Sequence, residues 1–220
     1  MNDDSTPPSR PPEDGSGDDK PNALVRLIDQ LIEIDPKVVA QYVDKLRSQN
    51  PVLTNDELAR KIVSRKSHKN GLVGAATGIP GLLALPLTIP ADVYASWKIQ
   101  IYMALCIAYA YGHTAQTTDL RSDIYLILAG DAAKEALKRA GIAVGKELTK
   151  RAVSKYVTRE VMKKIGVVLS RKIITKAGEK SLTSFMKLVP LVGAPVGYAF
   201  DWGSAQIVGR NAIKYYSGRG

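Results

Sequence analysis

The sequence has little of the chemistry that most protein sites use. It contains one cysteine, Cys106, so neither an intrachain disulfide nor a CxxC metal site can form. Two histidines, His68 and His113, are too few for a histidine-rich metal site. Aromatic residues make up only 6% of the chain, so the core must consist mainly of leucine, isoleucine, valine and alanine. This composition excludes a disulfide scaffold, a collagen and a zinc finger.

The short motifs of common enzyme classes are also missing. The glycine-rich stretch 71–81 is not followed by Gly-Lys-Ser/Thr and is no GxGxxG after a strand, so we expect no nucleotide site. Neither histidine belongs to an HExxH motif, and no GxSxG is present. Cys106 stands in the apolar run MALCIA, which is typical of a core residue. We therefore expect no cofactor, no metal and no catalytic residue. A lipid-type hydrolase is the least favoured alternative, because no catalytic triad is visible in the sequence.

No segment shows the period-two alternation of a β-strand. From residue 22 onward, apolar residues recur every three or four positions, which is the spacing of helices with one buried face. Asp35-Pro36 and the capping box Thr54-Asn-Asp-Glu57 mark two helix starts. The sequence thus predicts an all-α fold, a compact multi-helix bundle with glycine- and proline-rich buried connections.

The N-terminal segment differs from the rest of the chain. Residues 1–20 hold six acids, two bases and four prolines, with a net charge of −4 and no apolar run. We expect residues 1–21 to be a disordered acidic tail, because they offer nothing to bury. The segment lacks the features of a secretory signal, which favours a cytoplasmic location. Residues 22–216 are predicted to form a single helical domain.

Two uncharged stretches, 70–91 and 99–118, are long enough to cross a membrane. Three prolines interrupt the first, and the second ends in polar residues. We therefore expect one helix to run toward Lys69 and a closely packed helix to follow at 71–78. Residues 79–89 are interpreted as a buried loop and residues 90–111 as a central core helix. Insertion as a membrane hairpin remains open as an alternative. A final helix is predicted from about Tyr198 to Tyr216.

Residues 134–187 carry 15 bases and four acids, a net +11 that exceeds the +10 of the whole chain. Apolar residues in this basic segment keep helical spacing, and the bases fall between them. We predict one or two long amphipathic helices with an interruption at Gly166. The candidate anion-binding residues are Lys146, Lys150, Lys155, Arg159, Lys163 and Lys164.

A local basic field indicates an anionic partner. The leading hypothesis is a non-enzymatic protein that docks on anionic lipid at the inner face of the cell membrane, with its lysines toward the headgroups. Nucleic acid is the alternative, although the basic segment has few aromatic residues for stacking. A membrane-protein partner and a homo-oligomer also remain open, and so does a merely solvated lysine face.

Small residues spaced four apart, as in Gly74-x-x-x-Gly78 and Gly193-x-x-x-Gly197, indicate helices packed closely within one domain. Two isolated acids lie among apolar residues. Asp92 follows Pro90 in the expected first turn of a helix, where a carboxylate caps free amides. Asp201 requires a partner if it is buried, and Lys98 and Arg210 are the candidates.

Several of these pieces together resemble the EcsC protein family. They are GLVGAATGIPG at 71–81, IPAD at 89–92, AYAYG at 108–112 and PLVGAPVG at 190–197, within a resemblance over about 22–216. The resemblance implies a bacterial, intracellular or membrane-associated helical protein and assigns no catalytic residue. The pattern is also similar to helical domains attached to some membrane-acting GTPases, but this chain has no GTPase motif. The structural motif residues are Gly71, Gly74, Gly78, Pro80, Pro90, Asp92, Gly112, Gly193, Gly197 and Asp201.

Overall fold

The structure is a computed structural model that describes residues 29–77, 91–113, 120–139, 141–142, 148–153, 158, 161–162, 164–167 and 190–218. The helices are α1 (Pro36–Ser48), α2 (Asn55–Thr77), α3 (Ala91–Ala110), α4 (Leu120–Ala129), α5 (Asp131–Arg139), α6 (Lys150–Val153) and α7 (Pro190–Ser217). Residues 29–32, 161–162 and 164–167 are helical as well. The described part of the chain contains no strand, so the all-α prediction is confirmed.

Both predicted helix starts are present. The Asp35 carboxylate accepts a hydrogen bond from the backbone amide of Lys37 at 2.9 Å, with Pro36 at the first position of α1. At the start of α2, the amide of Thr54 donates to the Glu57 carboxylate at 2.8 Å. The amide of Glu57 donates back to the Thr54 hydroxyl at 3.3 Å, which completes the capping box.

The centre of the fold is α3, as the uncharged stretch from residue 99 predicted. Ile101, Met103 and Ile107 have no solvent exposure. They belong to one apolar cluster that also includes Ile62 of α2 and Leu126 of α4. Because α3 is covered on several sides, it needs no polar face, and this explains its lack of charge after Lys98.

The most extensive helix contact joins α2 and α7. Gly74 faces Gly197 and Val63 faces Gly209, so the two helices run antiparallel. The α3 helix runs parallel to α7, since the Gln100 side chain contacts Ser204 at 3.1 Å and the His113 ring lies 5.0 Å from that of Tyr216. As a result, the end of α2 and the starts of α3 and α7 lie at the same end of the bundle.

Two helices are longer than predicted. The α2 helix continues past Lys69 to Thr77 without a break, because Gly71 and Gly74 lie against α7 and their packing offsets the weak helix propensity of glycine. The α7 helix begins at Pro190, eight residues before the predicted start at Tyr198. Its second proline, Pro195, is the sixth residue of the helix, and its missing amide removes one hydrogen bond to the carbonyl four residues earlier.

The basic segment is broken at a different glycine from the predicted one. The α5 helix ends at Arg139, and Gly141 adopts a φ of +76°, which an L-residue with a side chain rarely adopts. The amide of Ile142 closes this end by donating to the Leu137 carbonyl at 3.0 Å. Gly166, the predicted interruption, lies buried within helical residues 164–167. The described residues therefore place a break at Gly141, and the predicted interruption at Gly166 was wrong.

Candidate functional site

The described part of the basic segment separates apolar and charged side chains. Five of its apolar residues are buried, each with at most 8% of its surface exposed: Leu137, Leu148, Val153, Val161 and Ile165. Val167, at 49% exposure, is an exception. Its exposed cations are Lys138, Arg139, Arg151 and Lys164. We call these four the basic surface. The inward apolar stripe that the sequence predicted is thus present, with positive charge on the outside.

Lys150 is not part of this surface, contrary to the prediction. Its amine lies 3.0 Å from the carboxylate of Asp123, whose side chain is only 3% exposed. The Tyr215 hydroxyl donates a 2.6 Å hydrogen bond to the other oxygen of the same carboxylate. A buried carboxylate needs such partners, and Lys150 supplies the opposite charge. Of the other candidate cations, Lys164 is exposed, and Lys146, Lys155, Arg159 and Lys163 lie outside the described residues.

This ion pair is part of a polar cluster where α4, α6, α7 and the end of α3 meet. Burial, together with the Asp123 charge, raises the pKa of Tyr216 well above its ordinary value. Burial lowers the pKa of His113, and the nearby Lys150 charge lowers it further. These groups hold four segments together. The only sequence signal at Asp123 is its position directly before the apolar run IYLILA. That position does not reveal which residues are its partners.

The predicted glycine packing involves Gly74 and Gly197, one from each of two motifs. A Cβ atom added to either glycine would overlap the carbonyl oxygen of the other, so the two backbones touch. One turn earlier on α2, a Cβ on Gly71 would lie 2.7 Å from the Tyr198 ring. Gly78, Pro80 and Pro90 lie outside the described residues. Gly193 lies in the first turn of α7, and Gly112 ends α3 with a φ of +86°.

The two isolated acids lie in helices. Asp92 is in the first turn of α3, as expected. Asp201 is completely buried in α7 beside the glycine crossing, where the side-chain amide of Asn70 donates to its backbone carbonyl at 2.7 Å. Lys98 and Arg210, the partners suggested for Asp201 by the sequence, are both exposed to solvent.

A second buried arrangement surrounds Lys66 of α2. Its amine lies 3.8 Å from the centre of the Tyr42 ring and 4.3 Å from that of Tyr102, so it makes cation–π contacts that join α1, α2 and α3. Burial lowers the pKa of Lys66. Burial also raises the pKa of the nearby Cys106 thiol to about 12, which disfavours the reactive thiolate. The interpretation of Cys106 as a core residue is confirmed.

An open groove of about 450 Å³ lies between the start of α2 and the end of α7. Its side chains largely satisfy one another: the Tyr111 hydroxyl donates to Asp56 at 2.6 Å, and Arg60 pairs with the same carboxylate at 3.5 Å. With Glu57 bound to Thr54, the groove has few polar groups aimed at a ligand. We assign no site to it.

Among the helices that the structure describes, none combines the length and the apolar character that a bilayer crossing requires. No curated protein and no solved structure matches the chain. The profile of the EcsC protein family matches residues 26–220, nearly the whole chain. The chain therefore belongs to the EcsC protein family.

Proposed function

We propose that this protein is a non-enzymatic helical protein that associates peripherally with anionic membranes through its basic segment, residues 134–187. The observation that supports the proposal is the separation of apolar and charged side chains in that segment. Five apolar side chains from Leu137 to Ile165 are buried in the core, and Lys138, Arg139, Arg151 and Lys164 face outward. Positive charge can then approach a lipid surface without any change in the fold.

The energies are sufficient for reversible docking. Each lysine or arginine near an anionic leaflet contributes about 1 kcal/mol, and this falls away within a Debye length. Micromolar affinity corresponds to about 8 kcal/mol, so about eight of the 15 bases in the segment must act together to reach it. We therefore expect binding to anionic lipid that weakens steeply as salt rises.

Charge reversal on the basic surface tests the proposal. Lys138→Glu with Lys164→Glu reverses four units of charge at exposed positions and leaves the buried stripe intact. Binding should fall at least about tenfold, given about 1 kcal/mol per base. The measurement is sedimentation with phosphatidylserine/phosphatidylcholine vesicles across a salt series. A second variant, with Lys146, Lys155, Arg159 and Lys163 changed to Glu, tests the candidates chosen from the sequence.

Lys37→Glu with Lys45→Glu is the matched control. It reverses the same charge at two exposed positions of α1, outside the basic segment. Unchanged or slightly reduced binding of the control, with strong loss in the first variant, supports the proposal. Equal loss in both variants would mean that only net charge matters. A gel shift with DNA and RNA at matched salt covers the alternative: tighter binding to nucleic acid than to vesicles would overturn the membrane proposal.

A further inference from the structure

The inner face of α7 is fully used in packing. Gly197 and Gly209 contact α2 so closely that a Cβ on Gly209 would lie 2.6 Å from Val63. Ala205 and Ala212 have no solvent exposure. This face packs α7 closely against the bundle.

The outer face of the same helix is also apolar, although it is exposed. Val196, Phe200 and Ile207 lie close together around α7 and are between 36% and 50% exposed. Trp202, 41% exposed, lies on the other flank of the exposed surface, and between them a Cβ on Gly203 would meet no atom within 4 Å. Asp201 is the one charged residue between positions 190 and 209, and it is buried. A helix that is apolar all round is normally surrounded by protein or lipid, and a contiguous exposed apolar patch marks an interaction site.

More apolar residues are exposed at this end of the bundle. Leu72, near the end of α2, is 54% exposed, and Tyr94, near the start of α3, is 40% exposed. Leu72 and Tyr94 lie level with the first half of α7, because α2 meets α7 at Gly74 and Gly197 and α3 meets it at Gln100 and Ser204. We call this group the apolar end: Leu72, Tyr94, Val196, Phe200, Trp202 and Ile207. The connection between α2 and α3, residues 78–90, carries no charge in the sequence.

Exposed bases lie beside the apolar end. Lys69 of α2, Lys98 of α3 and Arg210 of α7 are exposed within about one turn of Leu72, Tyr94 and Ile207, and Arg65 lies about two turns from Leu72. Aromatic residues next to exposed bases are typical of proteins that sit at a membrane interface. A second copy docked face to face would instead bring two such sets of positive charge together, which is unfavourable.

From this arrangement we infer that the apolar end inserts into the interfacial layer of an anionic bilayer, with Phe200 and Trp202 among the acyl chains and the four bases at the headgroups. Amphipathic surfaces of this kind enter about 5–10 Å into the headgroup and acyl boundary. The inference rests on the proposed membrane association and adds a second contact to it. The basic surface adjoins the Asp123–Lys150 pair at the other end of α7, near Tyr215. Its charge attracts the protein to the membrane from a distance, and the apolar end fixes the orientation there.

Trp202 reports insertion directly. The chain has two tryptophans, and Trp97 is 6% exposed, so Trp97→Phe leaves Trp202 as the sole emitter. With phosphatidylserine/phosphatidylcholine vesicles, its emission should move to shorter wavelength and be quenched by lipids brominated near the headgroup. If Trp97→Phe fails to fold, the same measurement on the unchanged chain serves, because Trp97 is already shielded.

Three results would overturn the inference in different ways. If the protein sediments with vesicles but Trp202 keeps its aqueous emission, docking is purely electrostatic, and the proposed function survives without insertion. If the chain does not bind vesicles at any salt concentration, both proposals fail. If the emission shifts with rising protein concentration and no lipid, the occupant is a second copy of this chain.

A matched pair of substitutions supplies the second test. Phe200→Glu with Ile207→Glu places two carboxylates on the apolar end, and vesicle binding should weaken at least tenfold. Val38→Glu with Val52→Glu is the control: it adds the same two charges at residues outside the apolar end that are 48% and 89% exposed, and it should leave binding unchanged. Circular dichroism checks that each variant folds. Wild-type binding by the double variant, or an equal loss in the control, contradicts insertion.

Discussion

Lys150 and Lys164 belong to the same basic segment, but their amines have different surroundings. Lys150 neutralises a carboxylate that is 3% exposed, and Lys164 points to solvent. A buried ion pair gives little net stability over an apolar core, yet loss of one partner leaves an uncompensated charge. The two lysines should therefore respond very differently to the same substitution.

We expect Lys150→Glu to lower the free energy of unfolding by about 3–5 kcal/mol, because it places a second carboxylate beside the buried Asp123. Lys164→Glu, at an exposed position, should change it by no more than about 0.5 kcal/mol. Urea denaturation followed by circular dichroism measures both. Similar values for the two variants would show that the Asp123–Lys150 pair does not hold the fold together.

The crossing of α2 and α7 determines how closely these two elements approach. Their backbones meet at Gly74 and Gly197, and every larger residue at either position would separate the helices. Gly203, less than two turns along α7, faces open space. The same helix therefore contains one glycine required for packing and one that only weakens the helix.

Gly197→Ala should destabilise the protein by about 1–3 kcal/mol, the usual cost of overpacking. Gly203→Ala should stabilise it by about 0.5–1 kcal/mol, because alanine is the better helix former and its methyl group meets nothing. Thermal and urea unfolding measure whether each variant is less or more stable than the unchanged protein. Stabilisation by Gly197→Ala would mean that α2 and α7 are not in backbone contact.

Features encoded by neighbouring residues were predictable at the scale of elements. The starts of α1 and α2 depend on side chains within three residues, Asp35 with Lys37 and Thr54 with Glu57. Residues 71–78 were expected to be helical, but their continuity with the preceding helix was not predicted, since it depends on packing against α7, more than 100 residues away. The helix end at Gly141 depends on a choice among several glycines that local spacing does not distinguish.

The candidate site shows the same division. Helical periodicity predicted that the cations of the basic segment would separate from its apolar stripe, and the described residues do so. The Asp123–Lys150 pair was missed because residues 27 positions apart gave no local signal. The apolar end was missed because an uncharged segment has the same composition whether its outer face is covered or exposed.

Charge is unevenly distributed over the whole molecule. Residues 1–20 carry −4 and residues 134–187 carry +11, within a chain of net +10. An acidic tail near a basic surface competes with an anionic membrane for the same cations. Because the tail has no apolar run, it has nothing to contribute to the core.

Deletion of residues 1–20 should therefore raise affinity for phosphatidylserine vesicles at low salt and leave the melting temperature unchanged. The gain should disappear near 0.5 M salt, where charges are screened beyond a few ångströms. Vesicle sedimentation and a thermal melt of the two proteins check both parts. A fall of several degrees in the melting temperature would show instead that the tail packs on the domain.

The contact between Gly74 and Gly197 also has a consequence in time. During synthesis on the ribosome, Gly197 is added 123 residues after Gly74. At about 5–20 residues per second, the face of α2 that holds Ser67, Asn70 and Gly74 waits roughly 6 to 25 seconds for its partner. Throughout that interval the nascent chain exposes a surface that the finished protein buries completely at Ser67 and Asn70. Synthesis of α7 is therefore the step that allows this part of the core to close.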